Sequence, residues 1–99
     1  MAKTTLTEEV IEESIRLLFE EFHKAEEKHP GWPEDQIHCA AIVAEEAGEL
    51  VQAAIDHTYQ HSCPLRLKEE AAQTAAMGLR FLVNLIVRER GGKVAVPLA

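Results

Sequence analysis

The sequence predicts an all-α fold, a bundle of three main helices that dimerisation completes. Apolar residues recur every three or four positions in three long segments, and prolines and glycines separate these segments. No segment alternates apolar and polar residues as a strand would. The 99 residues are 46% hydrophobic and 27% charged, as in an ordinary globular domain. We therefore expect one domain over 1–99, with helices at about 6–28, 33–57 and 64–90 and a tail at 91–99.

The first helix is predicted to bury one side only. Thr5 or Thr7 can cap it, and Glu8 follows Thr5 at the spacing of a capping box. Apolar side chains then recur at helical spacing, at Ile11, Ile15, Leu18, Phe22 and Ala25. Pro30 ends this helix, and Pro33 suits the first turn of the next one.

The second and third helices are apolar almost all the way round, over Ile37–Ile55 and Ala71–Val87. Pro64 suits the start of the third helix, and Gly91-Gly92 its end. Helices of this kind are buried on several sides, which one amphipathic helix cannot achieve for both. We therefore expect a second subunit, most simply in a two-fold dimer, with a tetramer as the alternative. The apolar tail Lys93–Ala99 packs on the domain or a partner, or is loose.

The charge balance argues against several classes of partner. With 17 acids and 10 bases the net charge is -7, which repels nucleic acid and anionic membrane surfaces. The start lacks the apolar core of an export signal, and no apolar run is long enough to span a membrane. Cys39 and Cys63 form neither a disulfide framework nor a CxxC pair, which favours a cytoplasmic location.

Polar stripes interrupt both apolar helices. The second helix carries His38, Glu45, Glu46, Glu49 and Gln52, and the third carries Glu70, Gln73, Arg80 and Asn84. Burying ionised carboxylates costs several kcal/mol each unless a cation or donors compensate, and magnesium prefers such oxygen ligands. These stripes predict a Mg²⁺ site, with Mn²⁺ as a substitute. The alternative is an ordinary solvated acidic face.

The segment Glu45-Glu46-Ala47-Gly48-Glu49-Leu50, preceded by Trp32 and followed by Glu69-Glu70-Ala71-Ala72-Gln73, carries a resemblance. It resembles the MazG-like branch of the all-α nucleoside triphosphate pyrophosphohydrolases, whose signature is EExxE followed by ExxD. The likeness covers about residues 8–88, and twenty residues separate Glu49 from Glu70. The chain departs from the signature at Gln73, which replaces the expected Asp.

The resemblance implies a single MazG-like helical domain that hydrolyses a nucleoside triphosphate to monophosphate and pyrophosphate. Glu46, Glu49, Glu70 and the position of Gln73 would hold Mg²⁺. Glu45, with Glu46, would be catalytic, by orienting or deprotonating the attacking water or by holding a further metal. A glutamine amide can ligate magnesium, but it brings no charge and cannot act as a base.

Four further residues are candidates for substrate binding, and each has a structural alternative. Arg80 could meet a phosphate or form a buried salt bridge with a glutamate. Trp32 could stack on a base or anchor its turn to the core. Lys68 could reach phosphate, and Asn84 extends the stripe of the third helix.

Two other functions stay open beside the enzyme. The Gln73 substitution is compatible with a non-catalytic nucleotide- or metal-binding module, and cross-subunit salt bridges would suit a purely structural helical dimer. A zinc site at His57, His61 and Cys63 is a further alternative, although His57 near a helix end is also favoured by the helix dipole.

Overall fold

The chain folds into three α-helices, α1 (Glu8–Lys28), α2 (Gln36–Gln60) and α3 (Pro64–Glu89). The computed structural model describes residues 6–92, and no strand occurs within that range. The prediction of an all-α protein with three main helices is therefore confirmed. The predicted tail Lys93–Ala99 lies outside the described residues.

The first helix begins at a cap that the sequence predicts. The Thr7 hydroxyl accepts a hydrogen bond from the Val10 N–H at 3.3 Å, and Glu8 and Glu9 occupy the first turn, where acids suit the helix dipole. The helix ends at Lys28, directly before the loop that contains Pro30.

The second helix starts three residues later than predicted and ends three residues later. Asp35, not Pro33, sets its start, because the Asp35 carboxylate accepts the Ile37 N–H at 2.9 Å. The helix ends where His61 takes the left-handed conformation with φ 54°, a role more common for glycine. Pro64 begins α3 as predicted, and Gly91 follows its end with φ 71°.

The central helix is α3. Within the described residues α1 and α2 each pack against α3, and the backbones of α1 and α2 do not approach one another closely. Five apolar side chains are buried, namely Phe22, Cys39, Ala53, Ala76 and Met77. The radius of gyration is 15.6 Å, whereas a compact chain of this length is expected near 13 Å. The chain is thus less compact than average, and apolar side chains on the outer side of α2, such as Ile37 and Val51, are exposed.

The loop between α1 and α2 is fastened to α3 by Arg80, whose side chain is 4% exposed. Its Nε donates to the Glu26 carboxylate at 2.9 Å, and its Nη2 donates to the carbonyls of His29 and Gly31 at 2.7 and 3.1 Å. The guanidinium also lies 4.7 Å from the centre of the Trp32 ring. Charge-assisted bonds of this kind are about twice as strong as neutral ones, so Arg80 fixes the loop geometry.

A second arginine extends this fastening. Arg88 donates to the carbonyls of Pro33 and Glu34, both at 2.8 Å. The Cys39 thiol lies 3.1 Å from the Pro33 carbonyl, so the start of α2 is tied to the same loop. Within residues 6–92, none of the helices combines the length and apolar character that crossing a membrane requires.

Candidate metal centre

Three carboxylates meet where α2 and α3 pack together. Glu46 and Glu49 lie one turn apart on α2, and Glu70 faces them from α3. One carboxylate oxygen from each lies within 4.8 Å of the others. Glu46 and Glu70 are half-buried, whereas Glu49 is exposed. The cluster therefore has a closed side within the helix pair and an open side toward solvent.

The backbone on either side of this cluster is joined by Thr74. Its hydroxyl oxygen lies 3.1 Å from the Glu46 carbonyl on α2 and 2.8 Å from the Glu70 carbonyl on its own helix. The single hydroxyl proton can be donated to either carbonyl. Because both carbonyls belong to glutamates of the cluster, Thr74 keeps the turn of α2 that carries Glu46 beside the turn of α3 that carries Glu70.

The electrostatics of the cluster concentrate on Glu46. Burial, followed by the neighbouring charges of Glu49 and Glu70, raises the pKa of the Glu46 carboxyl above its ordinary value of 4.5. One oxygen of Glu46 and one of Glu70 are buried with no hydrogen-bond partner among the described residues. Buried carboxylate oxygens without donors are uncommon, and a cation is one of the groups that would satisfy them.

The donor set fits a hard divalent cation. Magnesium binds oxygen ligands at about 2.0–2.1 Å, so opposite ligands in its octahedral shell stand about 4 Å apart. The three oxygens lie within 4.8 Å of one another, close to this spacing, and Glu49 is exposed. Three carboxylates leave the other coordination positions for water or phosphate oxygens, which is the usual arrangement for magnesium with a phosphorylated substrate.

A cleft of about 420 Å³ opens beside the cluster, within the size range of small-molecule sites. Glu46, Glu69 and Gln73 line one side of it. The end of α1 lines the other, with Glu21, Lys24, Ala25, Lys28 and His29. Lys24 and Lys28 therefore share the cleft with Glu21, Glu46 and Glu69, and the Lys24 ammonium lies 3.5 Å from the Glu21 carboxylate.

The remaining members of the predicted ligand set lie at the margin of the cluster. Gln73 is half-buried in the cleft wall, one turn beyond Glu70. Glu45 is exposed on α2 and lies outside the group of three carboxylates, although its charge still contributes to the raised pKa of Glu46.

The predicted substrate residues fall elsewhere. Arg80 directs its donors to Glu26 and the α1–α2 loop, so its salt bridge is to an acid outside the EExxE segment. Trp32 packs beside Phe81 with ring centres 6.4 Å apart, as an anchor of the loop would. Lys68 lines a groove between α1 and α3, not the cleft.

Asn84 is buried in α3, with its Oδ1 unpartnered among residues 6–92. The alternative zinc set is not assembled: within the described residues the carboxylate cluster is the one group of three potential ligands that meets. The His57 ring nitrogen Nδ1 instead lies 3.0 Å from the Ser62 carbonyl.

Three residues that line or brace the candidate site were not predicted from the sequence. Lys24 and Lys28 stand four apart at the end of α1, and Thr74 follows Glu70 by four. The lysine spacing was a usable signal, because residues four apart share a helix face. Thr74 could not be recognised, since its role depends on the packing of α3 against α2.

Comparison with known protein families, with curated proteins and with solved structures finds no match.

Proposed function

We propose that the protein is a magnesium-dependent nucleoside triphosphate pyrophosphohydrolase that releases a monophosphate and pyrophosphate. The observation that carries the proposal is the meeting of Glu46, Glu49 and Glu70, with two of their oxygens buried and unpartnered. A half-buried acidic group of this kind is costly without a cation. The resemblance of residues 45–49 and 70–73 to the EExxE and ExxD boxes supports the same assignment.

In this proposal the three glutamates hold the ion, and Gln73 supplies an amide oxygen to it or to its water. A magnesium ion held there would neutralise phosphate oxygens and lower the pKa of a bound water. Lys24 and Lys28, which line the α1 wall of the cleft, would bind the phosphates. Glu45, exposed beside the cluster, accepts the proton of the attacking water.

The second candidate is a nucleotide- or metal-binding module without turnover, which Gln73 favours because an amide replaces the expected carboxylate. Both candidates act in a homodimer or tetramer in the cytoplasm under this proposal, with no nucleic-acid or membrane partner. Pyrophosphate release from a panel of ribo- and deoxynucleoside triphosphates separates the two.

Magnesium should raise the melting temperature. At about ten times its Kd the stabilisation is about 1.4 kcal/mol, which corresponds to a rise of roughly 7 °C for a domain of this size. Glu49→Ala and Glu70→Ala should each remove this shift and abolish pyrophosphate release while leaving the helical circular dichroism unchanged.

The matched control is Glu89→Ala, which removes an exposed acid at the far end of α3. It should keep both the melting shift and the activity. A wild-type melt that ignores magnesium, or full turnover in either cluster variant, would contradict the metal assignment.

A further inference from the structure

The outer side of α2 carries an uninterrupted apolar stripe. The stripe consists of Ile37, Ala41, Ala44, Gly48, Val51 and Ile55. All six are exposed, and Ile37, Val51 and Ile55 are 81%, 58% and 43% exposed. Successive members are four, three, four, three and four residues apart, the spacing with which a helix presents one seam to another helix. At 1.5 Å per residue the stripe is about 27 Å long.

The stripe is also symmetric about its own centre. Ile37 lies nine residues before Glu46, and Ile55 lies nine residues after it. Ala41 lies five residues before Glu46, and Val51 lies five residues after it. The two central positions, Ala44 and Gly48, are small. A helix with this order matches a reversed copy of itself, because in an antiparallel pair each residue faces the position at equal distance beyond the axis. Such a match is what a two-fold interface requires.

We propose that α2 packs antiparallel against α2 of a second copy of this chain, along the stripe, about a two-fold axis level with Glu46. Ile37 then faces the partner's Ile55, and Ala41 faces the partner's Val51. Ala44 and Gly48 meet at the centre, where small side chains let the two helix axes approach to about 8 Å. A Cβ at Gly48 would touch no atom of its own chain within 4 Å, so the space for this approach is open.

The exposed area agrees with a second copy as the occupant. The chain exposes 7480 Å², whereas a compact monomer of 11.0 kDa is expected to expose about 5,600 Å². The excess is about 1,900 Å². This excess belongs to the whole chain, and it is larger than the ~800 Å² per partner that a standard interface buries.

The exposed apolar residues of α1 make a poorer seam. Ile15 and Phe19 share their surface with charged residues, Glu12, Arg16 and Glu20. By contrast, the residues beside the α2 stripe are His38, Glu45 and Gln52 on one flank and Ala40, Ala47 and Ala54 on the other, so Glu45 is the one acid next to it. The carboxylate of Glu46 turns to the opposite side of α2, toward α3, so the pairing leaves the acidic cluster accessible.

The test is sedimentation equilibrium of the full chain at micromolar concentration, without metal or nucleotide, so its result is independent of the proposed enzyme activity. Wild type should sediment at twice 11.0 kDa. Val51→Arg should weaken dimerisation at least about tenfold, because it places an unpaired charge in each half of the seam. Gln60→Arg, an exposed change on the same helix outside the stripe, should leave the mass unchanged.

A charge pair then tests the antiparallel register. Ala41→Glu alone should also weaken the dimer, whereas Ala41→Glu combined with Val51→Arg should restore it, since each new acid faces a new base across the axis. These positions are about 15 Å apart within one helix and cannot pair inside the chain. A wild-type protein that sediments as a monomer would overturn the proposal, and the stripe would then be open to a different partner. A Val51→Arg variant that still sediments as a dimer would overturn it too. A double variant that stays monomeric would overturn the register.

Discussion

Glu46 is the residue at which burial and repulsion act together. Its carboxyl is half-buried, and Glu49 and Glu70 approach it from two helices. The raised pKa of Glu46 means that folding favours its protonated form over its ionised form. An acid with a raised folded pKa binds more protons in the native state than in the unfolded state. The contribution of Glu46 to the unfolding free energy therefore falls as pH rises from 4.5 through the folded pKa, and this contribution is constant above that window.

This sign gives a prediction for Glu46→Gln in metal-free protein. The variant should be less sensitive than wild type to pH between 4.5 and neutrality, and it should be more stable at neutral pH, because the amide brings no charge into the cluster. Urea unfolding at several pH values measures both effects. Glu27→Gln, an exposed change on α1, is the control and should follow wild type. A Glu46→Gln curve parallel to wild type would show that the acidic cluster does not strain the apo fold.

At the scale of single elements, the sequence predicted those features that depend on neighbours along the chain. The cap at Thr7 and the start of α3 at Pro64 follow from local chemistry. The observed start of α2 differs from the predicted one because Asp35, rather than Pro33, caps the helix. The Pro33 carbonyl instead accepts a hydrogen bond from Arg88. The two acidic turns could be recognised from spacing. Their juxtaposition with each other depends on helix packing that no local pattern records.

Thr74 belongs to this packing, and it supplies the prediction for the α2–α3 pair. Thr74→Val keeps the shape but removes the hydroxyl that can donate to the Glu46 carbonyl on α2 or to the Glu70 carbonyl on α3. The expected loss is about 1 kcal/mol of unfolding free energy, together with a several-fold weaker magnesium affinity, since the acidic turns are no longer held at one level. Thr74→Ser retains the hydroxyl and should retain the affinity. Magnesium titration by calorimetry decides, and equal affinities for Val and Ser would remove Thr74 from a positioning role.

Within residues 6–92, α1 and α2 both pack on α3, and few apolar side chains are buried in these two helix pairs. The sequence predicted that α1 could not cover both apolar helices, and α1 indeed packs on α3 alone within the described residues. A domain with so small a core gains little stability from its own chain. If the α2 stripe pairs with a second copy, the interface becomes part of the folding free energy.

Coupling between assembly and folding makes the melting temperature depend on protein concentration. For two chains that unfold together, a hundredfold rise in concentration adds about 2.7 kcal/mol, or roughly 6 °C for a dimer of this length. Wild type should show this shift in calorimetric scans, whereas Val51→Arg should melt at a lower temperature that does not change with concentration. Gln60→Arg should behave as wild type. A wild-type melting temperature that is constant across this concentration range would mean that the three helices of one chain are stable without a partner. The exposed apolar stripe of α2 would then have no part in folding.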